Sequence, residues 1–289
     1  MTTLRRRLVP YGLLGPGLLW LVLFFVVPMV FMGWFSLSSG SLESGWSWTW
    51  AFSNYTDAIS EYSTQFGRSF LYAGAATILC LLLGYPLAYA IAFKGGRWRN
   101  LMLFAVIAPF FTTYLIRTIA WKTILADDSP VVEVLKFLQL VPQDGRVLAT
   151  SAAVIAGLTY NFLPFMVLPL YASLERLDLR LLEASKDLYA SARLTFLKVT
   201  LPLTAPGIVA GVLLTFIPAV GDYVNATFLG GTNQSMIGNV IQAQYLVIND
   251  YATAAALSFS LMIIIMIAVV LYIRFAGSEA LMGDEEEAK

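Results

Sequence analysis

"LLEASKDLYASARLTFLKVTLPLTAPG", residues 181–207, is a charged, strongly helical stretch in a very apolar chain. Leu, Glu, Ala and Lys are good helix formers. Asp178 stands ahead of them as an N-cap, because its carboxylate can accept the orphan amide bonds of a first turn. Leu181, Leu188 and Ala192 lie near one helical stripe, and Leu182, Tyr189 and Phe196 recur at sevens beside it. Glu183, Lys186 and Asp187 face elsewhere. The spacing predicts an amphipathic helix of about three or four turns. Pro202 and Pro206 then limit its continuation and re-aim the chain. Such a segment has no place in hydrocarbon, so the fold turns on which side of a membrane it lies and what presses against it.

Composition requires the membrane. The 289 residues are 58% apolar and 12% charged, against about 25% charged in soluble domains. Mean hydropathy is +0.74. The 18 basic and 18 acidic residues cancel, which gives no reason to expect nucleic-acid binding. The chain has no histidine, which excludes His-based metal sites and Ser-His-Asp or Cys-His catalysis. The single cysteine, Cys80, sits in an apolar run and has no internal disulfide partner.

Six stretches are long and apolar enough to span a bilayer, which takes about 20 residues each. They are 11–37, 69–93, 101–124, 149–173, 205–229 and 252–275. They are continuous rather than alternating, which argues against a β-barrel. Arg5, Arg6 and Arg7 precede the first run, but that run exceeds a secretory h-region of roughly 7–15 residues. It is read as a retained span.

Lys and Arg set the orientation. Thirteen of them fall in the termini, the turn at 94–100 and the segment 174–204; the alternate segments hold five, and the loops 38–67 and 230–250 hold none. Both termini and the 174–204 segment are therefore placed in the cytoplasm. Trp46, Trp48 and Trp50 then lie outside, where amphipathic aromatics favour the interface. The outer loop 38–67 carries Glu43, Asp57 and Glu61; the loop 125–148 contains "SPVVEVLKFLQLVPQDG", whose spacing predicts a short amphipathic surface helix. The tail "GDEEEAK", 283–289, has the composition of a disordered segment.

From pattern alone the 181–207 segment has two readings: a connecting helix lying on the membrane, or a helix that offers apolar knobs with a polar rim to a cytoplasmic partner. The segment resembles the EAA motif of the membrane subunits of ATP-binding-cassette importers. That motif reads Glu-Ala-Ala, three residues, Gly, nine residues, Ile-x-Leu-Pro. Here Glu183-Ala184-Ser185 is followed by Tyr189 at the glycine position and Val199-x-Leu201-Pro202. Ser185 for alanine is a small departure. Tyr189 is a larger one, because glycine permits a tight turn that tyrosine adopts only at a cost. Either the tyrosine fills a pocket on the partner or the turn is reshaped.

"PLTAPGIVAG", "FIPAVGDYV", "MIGNVIQ", "LLLGYPLAYAIA" and "APFFTTYLIRTIAW" are similar to the spermidine/putrescine importer permeases, over about residues 70–250. Permeases for iron chelates, thiamine and anions share parts of the pattern, so the solute stays open. The resemblance implies an all-α integral membrane protein with the type I ABC importer permease fold. It would be a single permease domain, 1–289, with its core at about 70–275 and its coupling segment at about 174–204, in a bacterial inner membrane. It further implies a second six-span permease, two copies of an ATPase that bind ATP and Mg, and an extracytoplasmic substrate-binding protein. The coupling residues would be Glu183, Ala184, Ser185, Asp187, Leu188 and Tyr189. The chain itself would hold no catalytic site, cofactor or metal.

Ionisable groups at membrane depth are expensive and tend to face a cavity or partner. Asp222 in "FIPAVGDYVNATF" follows Pro218 and Gly221, which break the helix. With Tyr223 it suits a polyamine through ion pairing and cation–π contact; alternatively it pairs with Arg117 or is solvated. Tyr160 and Asn161, ahead of Pro164 and Pro169, mark a second interrupted helix and a pathway candidate. Lys122 snorkels to the interface. A stand-alone secondary transporter would need ion-coupling groups at the midplane, and would leave the EAA segment unexplained.

Overall fold

The structure is a computed structural model and describes residues 14–41 and 43–276. The Arg5–Arg7 cluster, residues 11–13 of the first apolar run and the acidic tail 283–289 lie outside the described residues, and with them the placement of both termini.

In chain order, α1 (Leu14–Ser36) leads into an antiparallel hairpin, β1 (Ser38–Ser41) and β2 (Gly45–Trp48). Then come α2 (Ser53–Glu61) and the long α3 (Ser63–Lys94). α4 (Gly96–Phe111) and α5 (Tyr114–Ile124) meet at 95°. They are followed by α6 (Pro130–Phe137), α7 (Ser151–Glu175) and α8 (Leu179–Asp187). α9 (Ala192–Leu203) and α10 (Ala205–Val220) meet at 64°. α11 (Val224–Leu229), α12 (Ile237–Ile248) and α13 (Tyr251–Ala276) complete the described chain.

α1, α3, α7 and α13 are each long and apolar enough to cross a bilayer, and the two bent pairs bring the number to six. The bent pairs depart from simple spans. The run 101–124 is broken at Thr112–Thr113, which are extended. Pro109 lies in the 3₁₀ turn just before the break and removes one amide donor from it. The run 205–229 passes through Pro218 and breaks only at Gly221, before α11 restarts it. The stretch 38–67, read as a loop, holds regular structure: its hairpin pairs Ser38 with Trp48 and Ser41 with Gly45. β1, made of Ser and Gly, lacks the apolar alternation by which a strand is read, and only β2 carries it, through Trp46 and Trp48. The surface helix expected in 125–148 is α6, capped by Ser129, whose hydroxyl accepts from the Val132 amide at 3.2 Å.

The chain divides into two compact units, one of residues up to Ser63 with Ile241–Ile263, the other of Thr64–Val240 with the residues from Ile264 on. In the first, Phe35, Trp46 and Tyr251 pack with ring centroids 5.7–5.9 Å apart. Asn54 Nδ2 donates to the carbonyls of Ser36 and Ser38, both at 3.0 Å, which pins α2 to the start of the hairpin.

The second unit is organised around α7, most of whose inward residues are buried. α10 lies close against it because Gly207 and Gly211, one turn apart, present no side chain there. A Cβ at Gly207 would sit 2.5 Å from Ser173 Cβ and 2.8 Å from the Pro169 carbonyl; one at Gly211 would sit 2.7 Å from Met166 Sδ. Small residues at this spacing let membrane helices approach, where packing rather than the hydrophobic effect drives association. α3 is joined to the α9–α10 bend by a hydrogen bond of 2.8 Å between the hydroxyls of Tyr85 and Thr204. A Gly207→Val substitution is expected to destabilise the protein by about 1–3 kcal/mol through overpacking. The readout is a lowered thermal midpoint in detergent; an unchanged midpoint would contradict the close α7–α10 contact.

Candidate functional site

Two places in the second unit hold the residues that the sequence singles out. The first is a helical hairpin, α8 and α9. Asp178 caps α8, its Oδ1 accepting from the Arg180 amide at 2.9 Å. Ser191 caps α9, accepting from the Leu194 amide at 3.3 Å. Between them the Tyr189 amide donates to the Lys186 carbonyl at 2.8 Å and the Ala190 amide to the Ser185 carbonyl at 3.1 Å. Tyr189 itself has φ +57°, in the left-handed region. α8 is therefore nine residues long and shorter than the spacing predicts, because Tyr189 leaves the helical region.

The turn is clamped by Ser185. Its hydroxyl donates to the Leu182 carbonyl at 2.9 Å and shares a 2.9 Å hydrogen bond with Thr195 Oγ1 across the hairpin. The departure from alanine thus gives the turn an added tie. Glu183, Ala184 and Asp187 are exposed, Ser185 is buried, and Leu188 and Tyr189 project from the tip, 81% and 98% exposed. Phe196, which shares the heptad row of Tyr189, instead packs edge-on against Tyr85 at 5.5 Å.

The second place is a buried polar knot where the two broken spans meet α7. Tyr114, the first residue of α5, donates its hydroxyl to Asp222 Oδ2. Asp222 Oδ1 accepts from the Asn225 amide at 2.8 Å and from Asn225 Nδ2 at 3.2 Å, which is the geometry of a helix cap on α11. Asn225 Nδ2 also donates to the Tyr114 hydroxyl at 2.6 Å. Asn161 Nδ2, on α7, donates to Asn225 Oδ1 at 3.2 Å and to Thr118 Oγ1 at 3.3 Å. A Cβ at Gly157 would lie 2.6 Å from Asn225 Oδ1, so this glycine admits the asparagine against α7.

Asp222 and Asn161 are buried, at 8% and 1% exposed. Asp222 does not pair with Arg117: the ion pairs among the described residues are Arg99 with Glu175 and Arg146 with Asp127. Arg117 is buried over the rings of Phe110 and Tyr114, its Cζ 5.5 and 5.6 Å from their centroids. Tyr223 is 42% exposed. Tyr160 is half-buried, edge-on to Trp121 at 5.3 Å. Lys122 is exposed, with Nζ 5.9 Å from the Phe228 ring. Sequence reasoning missed Tyr114 and Thr118. Their spacing of four places both on one helical face, and that was the available signal.

The family of binding-protein-dependent transport system inner membrane components matches residues 81–276, and the chain belongs to it. It is a multi-pass inner-membrane protein. It is 40% identical over 256 residues to the spermidine/putrescine transport system permease protein PotB of Escherichia coli K12, covering 88% of this chain and 93% of that one. It is 36% identical over 256 residues to PotB of Haemophilus influenzae, covering 88% and 90%. The inner membrane ABC transporter permease protein YdcU of E. coli K12 is 36% identical over 220 residues, 72% of this chain and 69% of that one. In fold, the chain matches a subunit of a bacterial ABC transporter involved in alginate import, with TM-score 0.69 and 17% identity over 94% of this chain and 96% of that one. The MetNI methionine ABC transporter follows at TM-score 0.55 and 18% identity, over 74% and 95%. The fold is that of the type I ABC importer permeases.

The knot makes a prediction that separates a structural from a pathway carboxylate. Asp222→Ala removes the cap of α11 and leaves the Tyr114 hydroxyl without its acceptor, and is expected to cost about 2–3 kcal/mol. Asp222→Asn keeps an acceptor for the Asn225 amide and is expected to cost less. Thermal unfolding in detergent checks the order. Equal stability of both variants with wild type would show that the carboxylate does not hold the junction.

Proposed function

We propose that the chain is the transmembrane permease subunit of an ATP-driven importer that carries spermidine and putrescine into the cytoplasm by alternating access. The observation that carries this reading is the 40% identity to the E. coli spermidine/putrescine permease. That alignment leaves out 12% of the chain (100 − 88), so wherever its ends fall it contains both the α8–α9 hairpin and the knot.

In this reading the chain pairs with a second six-span permease. Two copies of an ATPase bind ATP and Mg, and an extracytoplasmic binding protein delivers the solute. The chain supplies no catalytic site of its own. The hairpin, with Glu183, Ala184, Ser185, Asp187, Leu188 and Tyr189, seats in a cleft of one ATPase. ATP binding then biases a two-state equilibrium through contacts that differ between the states. Asp222 and Asn161 are positioning residues that fix the broken spans. Tyr223 is the pathway contact with an open aromatic face, a surface that suits an alkylammonium, and half-buried Tyr160 is the second aromatic candidate.

Uptake of labelled spermidine tests the solute. In cells without a second polyamine importer, deletion of the gene is expected to abolish uptake that putrescine competes and unrelated solutes do not. Unchanged uptake would overturn the polyamine assignment. Glu183→Arg is expected to leave the protein in the membrane while transport falls to background and the ATPase no longer co-purifies. Normal transport with normal ATPase recovery would sink the docking role.

A further inference from the structure

We propose that Tyr189 is an aromatic anchor, held in a left-handed turn so that its ring enters an apolar pocket on the ATPase subunit. This rests on the coupling role given to the α8–α9 hairpin and adds to it the residue that carries the contact.

The turn carries a local cost. A tyrosine at φ +57° brings its Cβ against the backbone, which glycine avoids. Strained residues of this kind persist where something else repays them. Nothing among the described residues does so, since the side chain is 98% exposed. The turn does not need it either. Its two bonds, from the Tyr189 and Ala190 amides, are backbone to backbone, and any residue but proline could make them.

What the turn does provide is a rigid mount. Asp178 and Ser191 cap the two helices, and the Ser185–Thr195 hydroxyl bond ties them together. Leu188, 81% exposed, stands beside the ring. Glu183, Lys186, Asp187 and Arg193 are exposed on the same hairpin. An apolar tip with charged residues around it has the anatomy of a binding hot spot, in which a preorganised aromatic fills a desolvated pocket and polar groups form the rim. Tyrosine brings large contact area at the cost of two side-chain torsions. The basic residues of 174–204 put the tip in the cytoplasm, where the ATPase of an importer lies. The ATPase matched to this permease therefore carries a pocket of phenol size where a glycine-bearing turn would meet a flatter wall.

The test turns on opposite signs. Tyr189→Gly relieves the turn and removes the ring. Tyr189→Asn also removes it, and asparagine tolerates the left-handed region. The complex is purified through a tag on this chain, its ATPase subunit is prepared separately, and that ATPase is titrated onto tagged variants in nanodiscs, with thermal unfolding of the same samples. Both variants are expected to unfold at or above the wild-type temperature and to bind the ATPase about tenfold more weakly or worse. Wild-type affinity in both, with Glu183→Arg unable to bind, overturns the anchor and leaves the docking role standing. Wild-type affinity in all three overturns both.

Discussion

In hydrocarbon, every backbone amide and carbonyl freed by a break in a helix must find a partner within the protein. Two spans of this permease are broken, at Thr112–Thr113 and at Gly221–Tyr223. Both breaks lead into one cluster of hydrogen bonds among Tyr114, Asp222, Asn225 and Asn161. Asp222 supplies the acceptor that restarts α11, and the Asn239 amide group donates to the Tyr223 carbonyl at 2.9 Å. An acid at this depth is thus accounted for by the junction that it closes. Without it α11 would begin uncapped and Tyr114 would lose its acceptor.

In the proposed function, the knot and the hairpin divide the work of a transporter. The knot is buried, and its members are committed to one another. The hairpin exposes its tip and commits only its clamp. Between them run α9 and α10, whose bend at Thr204 is tied to α3 through Tyr85, and whose upper limb lies against α7 at Gly207 and Gly211. A displacement imposed on the hairpin therefore meets close-packed helices, and interiors of this density shift between discrete arrangements rather than deform continuously. This is the physical form that alternating access takes in the proposed function.

Much of this was legible in the residues. The six apolar runs and the cap at Asp178 follow from composition and spacing alone. The break near Gly221 was marked by its own Pro and Gly. The rest depended on contacts between distant segments. "SSGS" has no apolar residue to alternate, and the alternation of Trp46 and Trp48 was read as interfacial aromatics rather than as a strand, so the hairpin of β1 and β2 was hidden. The chain shows the charge of Asp222 but not its partners, which lie 108 residues away at Tyr114 and three away at Asn225. Tyr189 showed up as a departure from a motif, but only the backbone reveals that the turn kept its left-handed form and left the ring outside.

The junction of the two broken spans depends most on the bond between Tyr114 and Asp222. A double-mutant cycle with Tyr114→Phe and Asp222→Asn, read by reversible unfolding in mixed detergent micelles, measures it directly. The two losses are expected not to be additive, with a coupling of about 1 kcal/mol or more. Strictly additive losses would mean that the two residues act independently and that the broken spans are held together by something else.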